Sequence, residues 1–138
     1  MDKLSPARHG IPDFVGIDDD PINNMISKLM IQAVFPEAGV AFFTDPEMGL
    51  AYLLSTYADP GTNQAILLLD INMPILSGWE VLEALTIKFK SAAMPDIRIY
   101  MLSSSVDHRD IQKSKEHPYV SGYIEKPITI EHIRLIVA

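Results

Sequence analysis

Apolar residues fall in short blocks along this chain, and most blocks stop at an acidic, glycine or proline residue. The most compact block is Ala65-Ile66-Leu67-Leu68-Leu69, closed by Asp70 and followed by Ile71-Asn72-Met73-Pro74. A short unbroken apolar run ended by a turn signal reads as a strand buried on both faces. Phe14-Val15-Gly16-Ile17 repeats this grammar and runs into Asp18-Asp19-Asp20-Pro21. Val40 to Phe43, Ile97 to Leu102 and Val120 to Glu125 supply three more strands. Between the strands the spacing turns helical. Asp20 caps and Pro21 opens a first helix, where Ile22, Met25, Ile26, Leu29, Met30 and Ala33 predict one buried face before Pro36 and Gly39 end it. Asp45-Pro46 opens a second helix through Leu50, Leu53, Leu54 and Tyr57, broken at Pro60-Gly61. Ser77 and Glu80 form an S-x-x-E capping box for a third, through Val81, Leu82, Leu85 and Phe89, and Pro95 precedes the next strand. A fourth helix, from about Val106 to Glu116, has few apolar positions and is expected to pack lightly. Thr129 caps a fifth, with Ile130, Ile133, Ile136 and Val137 facing inward.

Five strand–helix units predict an α/β fold with a parallel sheet covered on both faces. Right-handed crossovers leave few topologies, and the expectation is a flavodoxin-like, doubly wound (βα)5 arrangement with strand order 2-1-3-4-5. The chain of 138 residues suits one core. Residues 1 to 11 are polar, with Pro6 and Gly10, and are expected to form a loose lead-in to a single domain spanning 12–138. No apolar run approaches the ~18 residues of a membrane helix, so no membrane association is expected. The N-terminus has no apolar segment of the signal-peptide kind. There is no cysteine, which fits a reducing cytoplasm. The formal net charge of −7 argues against non-specific nucleic-acid binding and is compatible with metal ions or basic protein surfaces.

Charge changes the picture most at the strand ends. With strands 1 and 3 as neighbours, Asp18, Asp19 and Asp70 meet at the carboxyl edge of the sheet, where open α/β folds place their ligands. Two like charges ~4 Å apart repel by ~4 kcal/mol at an effective dielectric near 20. Three such pairs, roughly 10 kcal/mol, rival the ~5–15 kcal/mol stability of a whole domain. The cluster must therefore protonate, spread or hold a cation. Oxygen ligands without histidine or cysteine favour Mg²⁺ or a similar hard ion such as Mn²⁺. Mg²⁺ commonly shares its shell with phosphate oxygens, so Asp70 is a candidate oxygen nucleophile toward phosphorus. The fourth strand ends in Ser103-Ser104-Ser105 and the fifth in Glu125-Lys126-Pro127, which adds hydroxyls and an ammonium to the same rim. A phosphoryl group on Asp70 would need such donors.

Each feature alone has an ordinary reading. The aspartate run suits a helix N-terminus, Asp70 a turn, the serines a solvated loop, Tyr123 a core position, and Trp79 packing at the start of the third helix. The four histidines lack metal-ligand spacing. The aspartate run, Asp70, the serines and Lys126-Pro127 occur together, in order, at successive strand ends, and the ordinary readings do not account for them as a set.

The chain resembles the receiver domains of bacterial two-component response regulators, chemotaxis-regulator-like proteins among them. The resemblance rests on Val-Gly-Ile-Asp-Asp-Asp-Pro (15–21), Leu-Leu-Asp-Ile-Asn-Met-Pro-Ile-Leu-Ser-Gly (68–78), Met-Leu-Ser-Ser-Ser (101–105) and Gly-Tyr-Ile-Glu-Lys-Pro (122–127). It implies Asp70 as phosphoacceptor and a Mg²⁺ site of Asp19, Asp18, Asp70 and the Asn72 backbone carbonyl. It also implies Ser103 as switch hydroxyl, Tyr123 as switch aromatic, and Lys126 on the phosphoryl group with a cis Lys126–Pro127 bond. A sensor histidine kinase or histidine phosphotransfer protein is the implied donor. An output protein is expected on the face of the fourth helix, fifth strand and fifth helix. Such a domain catalyses only its own phosphorylation and dephosphorylation. Two other classes compete. A haloacid-dehalogenase-type phosphatase needs a general acid where Asn72 stands, and a cap domain for which there is no room. A phosphorylation-independent receiver-like interaction module usually lacks an acidic residue or the lysine, and this chain has them all.

Overall fold

A computed structural model describes residues 10–58, 64–90 and 96–138 of the protein. In chain order the elements are β1 (Asp13–Ile17), α1 (Pro21–Val34), β2 (Val40–Phe43), α2 (Pro46–Thr56), β3 (Ala65–Asp70), α3 (Gly78–Lys90), β4 (Ile97–Ser103), α4 (His108–Glu116), β5 (Val120–Glu125) and α5 (Ile130–Val137). The five strands form one sheet in the order β2-β1-β3-β4-β5, and every neighbouring pair is parallel. The expected flavodoxin-like order is the observed one. Most of the expected lead-in, the break at Pro60-Gly61 and the boundary at Pro95 lie outside the described residues.

The central strand reads as its sequence demands: all six residues of β3 are buried. Alternate side chains feed two cores. Val15, Ile17, Leu67, Leu69, Ile99 and Met101 meet α2 and α3 on one face of the sheet. Phe14, Ile66, Leu68, Leu102 and Ile124 meet α1 and α5 on the other. The capping box at α3 is formed in both directions, with Ser77 N donating to Glu80 Oε1 at 2.8 Å and Glu80 N donating to Ser77 Oγ at 3.2 Å. The lightly packed α4 is also observed: Ser114 is its one buried residue.

The first helix departs from expectation. Its buried face is Asn24, Ser27 and Ile31, whereas Ile22, Met25 and Leu29 are 62%, 58% and 54% exposed. Ala33 is exposed too, and Ile26 and Met30 are half-buried. The reason is a demand for hydrogen-bond donors at the strand ends. Asn24 Nδ2 donates to the Asp18 carbonyl at 3.0 Å and to the Phe43 carbonyl at 3.2 Å, which ties the tips of β1 and β2 to the helix. The Phe43 carbonyl also accepts from Asp18 N at 3.1 Å, so Asn24 adds a second donor there and supplies one to the Asp18 carbonyl, whose burial unpaired would be costly. The helix therefore turns its polar stripe inward.

Candidate functional site

Strand register builds the site. Ile17 lies opposite Leu69, so Asp18 and Asp70 follow side by side at the carboxyl edge. Asp70 lies opposite Leu102, and Ser103 opposite Glu125, so Ser103 and Lys126 complete the row. The three aspartates after β1 divide their duties. Asp18 is buried and its Oδ1 accepts from Asp20 N at 2.9 Å. Asp19 is exposed toward the cluster. Asp20 is committed to the helix, accepting from Ile22 N at 2.9 Å as the α1 cap. One carboxylate oxygen each from Asp18, Asp19 and Asp70 lies within 4.8 Å of the others. Lys126 Nζ stands 3.0 Å from Asp18 Oδ2 and 3.2 Å from Asp70 Oδ1, bridging two buried acids. Its backbone N–H donates to Ser103 O at 2.8 Å, and the Lys126–Pro127 bond is cis, as the resemblance implied.

The electrostatics follow from burial. Desolvation and, next, the charge of Asp18 push the Asp70 carboxyl up to about 6, while Lys126 and the Asn72 amide at 3.4 Å pull it back. Burial by itself would lower the Lys126 ammonium. Its hydrogen bond to Asp18, the Asp18 charge and then Asp70 raise it above its ordinary value. Without a metal ion, the acid cluster is thus relieved by one lysine and by a readiness of Asp70 to take a proton. The donor set fits a hard divalent cation: three carboxylates, all oxygen, with no histidine or cysteine among them.

Gly78, the first residue of α3, explains how the loop after Asp70 packs. A Cβ there would strike the Asp70 backbone oxygen and come within 3.0 Å of Ile71 Cα. Its N–H donates to Ile71 O at 2.9 Å. The helix start is therefore seated directly on the backbone of the site.

On the other flank, Ser103 is buried and its hydroxyl donates to Ser105 O at 2.9 Å. The Tyr123 hydroxyl donates to the same oxygen at 2.7 Å. Two side chains singled out from the sequence thus meet on the backbone carbonyl of a third residue. Sequence reasoning missed Ser105 because a main-chain acceptor leaves no trace in residue type. It also gave Trp79 a packing role alone. The ring does pack on the α2–α3 core, but its Nε1–H also donates to Asp110 Oδ1 at 3.1 Å, across to α4.

The chain belongs to the response regulator receiver domain family, whose model matches residues 14–138. It is therefore a receiver domain of the two-component signalling type. It is similar to the crystal structure of a two-component response regulator from Cytophaga hutchinsonii, with a TM-score of 0.78 and 29% identity over 92% of this chain and 96% of that one. A receiver protein from Dyadobacter fermentans shares the fold at TM-score 0.75, with 24% identity over 91% and 94% of the two chains. So does the Vibrio cholerae chemotaxis protein CheY4, at TM-score 0.68 and 21% identity over 91% and 95%. No curated protein matches the sequence significantly.

Proposed function

We propose that this receiver accepts a phosphoryl group from a phosphohistidine onto Asp70 and converts the modification into altered affinity for a partner protein. The observation that carries the reading is the convergence of Asp18, Asp19, Asp70 and Lys126, with Nζ bridging two of the acids at 3.0 and 3.2 Å. An Asp70 carboxylate oxygen attacks phosphorus. The P–O bond to Asp70 forms as the P–N bond to the imidazole breaks, and its electron pair stays on the imidazole nitrogen. Asp18, Asp19, Asp70 and the Asn72 backbone carbonyl would hold Mg²⁺, or Mn²⁺. Bound there, the ion neutralises charge on the phosphoryl oxygens. Lys126, already against Asp70, swings its ammonium contact onto a phosphoryl oxygen. Ser103 turns its hydroxyl from Ser105 O to another. The Tyr123 hydroxyl then no longer shares that carbonyl with Ser103, and the loop leading into α4 relaxes.

Two surfaces serve two partners in this reading. Ile22, Met25 and Leu29 form an exposed apolar stripe on α1 that starts three residues after Asp19. Exposed Ile75 follows Asp70 on the facing loop. This rim suits the histidine kinase or phosphotransfer protein that must bring its phosphohistidine to Asp70. The output partner takes the α4–β5–α5 face, where a groove of about 380 Å³ is lined by Ile111, Ser114, Val120 and Tyr123. The unit is 12–138, consistent with a family match over 14–138 and a first strand from Asp13. Among the described residues no helix is long and apolar enough to cross a membrane, which accords with a cytoplasmic setting. We assign a signalling role, with catalysis limited to the domain's own modification and its reversal.

The deciding experiment uses acetyl phosphate with Mg²⁺ and intact-mass spectrometry. One phosphate adduct is expected on the wild type and none on Asp70→Asn. An unlabelled wild type, equal labelling of Asp70→Asn, or labelling in excess chelator would defeat the reading.

A further inference from the structure

The α4 helix has little of its own to hold it. It buries only Ser114, whose Oγ finds no partner, and its exposed surface is charged. From α3 the Trp79 ring reaches across to it. Trp79 Nε1–H donates to Asp110 Oδ1 at 3.1 Å, and Lys113 Nζ lies 4.6 Å from the ring centroid. Asp110 and Lys113 are three positions apart, so they share one face of α4. They grip the indole at its edge and over its face. Both contacts suit the chemistry: an indole N–H donor to a carboxylate, and an ammonium over the most favourable aromatic ring.

Trp79 can bear such a role because its own position is fixed. The ring packs on the core beneath α3. The residue before it, Gly78, is seated on the Asp70 and Ile71 backbone with no room for a Cβ. A continuous series of contacts therefore runs from the backbone of Asp70 through Gly78 and Trp79 to the first turns of α4. At its leading end α4 follows Ser105, whose carbonyl takes both the Ser103 and Tyr123 hydroxyls.

We propose that Trp79, Asp110 and Lys113 form a latch between α3 and α4 that holds α4 in its resting position. Trp79 and Asp110 are then positioning residues that set how readily the switch is thrown. The inference rests on the assignment of Asp70 as phosphoacceptor. When Ser103 leaves the Ser105 carbonyl, the loop into α4 loses an anchor, and the latch still resists movement of the helix. Weakening it raises the population of the displaced arrangement before any phosphoryl group arrives, and a small phosphodonor reacts faster with a pool that already contains it.

Three variants of the full chain separate the contacts. Asp110→Ala removes the acceptor. Asp110→Asn keeps an amide oxygen in its place. Trp79→Phe keeps a ring beneath Lys113 and removes the N–H. Amide hydrogen exchange of residues 108–116 in the unphosphorylated protein, and the rate of Asp70 labelling by acetyl phosphate and Mg²⁺, are the readouts. Asp110→Ala and Trp79→Phe should each raise both by roughly twofold to tenfold, the range set by one hydrogen bond of ordinary net strength. Asp110→Asn should stay near wild type. The double variant should do no more than either single one, because both remove the same bond. Trp79 is the chain's one tryptophan, so its emission should change in Asp110→Ala and hold in Asp110→Asn. Wild-type values for exchange and labelling in Asp110→Ala, or additive effects in the double variant, would overturn the latch. If Trp79→Phe proves poorly folded, the two Asp110 variants decide alone. If the wild type itself is not labelled on Asp70, the phosphoacceptor reading fails, and the exchange data still decide whether the latch exists.

Discussion

Lys126 is the residue on which the acid cluster now depends. Its ammonium touches Asp18 and Asp70 at 3.0 and 3.2 Å, and all three side chains are nearly buried. Breaking a buried ion pair by removing one partner costs about 3–5 kcal/mol, because the other charge is left uncompensated. Lys126→Ala should therefore melt well below the wild type in chelator. Mg²⁺ should restore more stability to the variant than it adds to the parent, since a cation and the lysine compete for the same oxygens. Metal affinity measured by thermal shift should be intact or higher. Loss of metal binding in Lys126→Ala would show that the lysine supports the site rather than competing for it. A second expectation concerns Asp70 itself. Its folded pKa is about 6, against 3.8 for the free carboxyl, so the folded state holds the proton more tightly. The associated stability is fully present below about pH 4 and is lost as pH rises through 6, by at most about 3 kcal/mol at 1.36 kcal/mol per unit. Metal-free wild type should lose this increment across that window and Asp70→Asn should not, so the variant becomes the more stable protein at pH 7. Parallel melting curves for the two proteins from pH 4 to 7 would contradict this account.

At the scale of elements, legibility followed the kind of demand each segment answers. Strand β3 was readable because burial on both faces writes itself as an unbroken apolar run. The start of α3 was readable because Ser77 and Glu80 satisfy helix-end donors with side chains. The carboxyl-edge residues were readable because each closes or directly follows a strand, and parallel register then aligns them. The buried face of α1 was misread because periodicity offered two stripes and the apolar one was outermost. Asn24 went inside to serve two strand-end carbonyls, a need that arises only once β1 and β2 are paired. The Ser105 carbonyl and the Trp79–Asp110 bond were illegible for the same reason: they join segments 18 and 31 residues apart through geometry rather than pattern. The exposed apolar stripe of α1 has a consequence for partner binding. Met25→Glu and Leu29→Glu alter side chains that are 58% and 54% exposed, so each should change stability by no more than about 0.5 kcal/mol. Labelling by acetyl phosphate should be unchanged in both. Transfer from a phosphohistidine donor protein should fall about tenfold or more, as loss of an apolar anchor at an interface implies. Unimpaired transfer in rapid-quench assays would remove α1 from the donor-docking surface.

Across the whole molecule, rigidity is unevenly distributed, and the site sits at the junction. Strands β1, β3 and β4 carry most of the side chains with no exposed surface, and they hold the aspartates from behind. The α4 helix, which buries a single serine, is fastened by Trp79 on one side and by the Ser105 loop and β5 on the other. Opening free energies should follow that gradient, with β3 amides exchanging only on global unfolding and α4 amides by local release. A charge change at Asp70 can therefore shift α4 without disturbing the sheet. Throwing a switch from 1:99 to 99:1 requires about 5.5 kcal/mol. Two or three charge-assisted hydrogen bonds from Lys126, Ser103 and backbone amides, at roughly 1.5–3 kcal/mol each, are of that order before the resting contacts of Lys126 and Ser103 are subtracted. Native-state hydrogen exchange with and without Mg²⁺ and beryllium fluoride, a non-hydrolysable stand-in for the phosphoryl group, tests this division of labour. Exchange in β1 and β3 should slow only by the uniform factor that ligand binding adds to global stability, while residues from Ser103 through Tyr123 should change by a different factor. A change that spread through α2 and β2 while leaving α4 untouched would mean that the signal leaves the site by a different route.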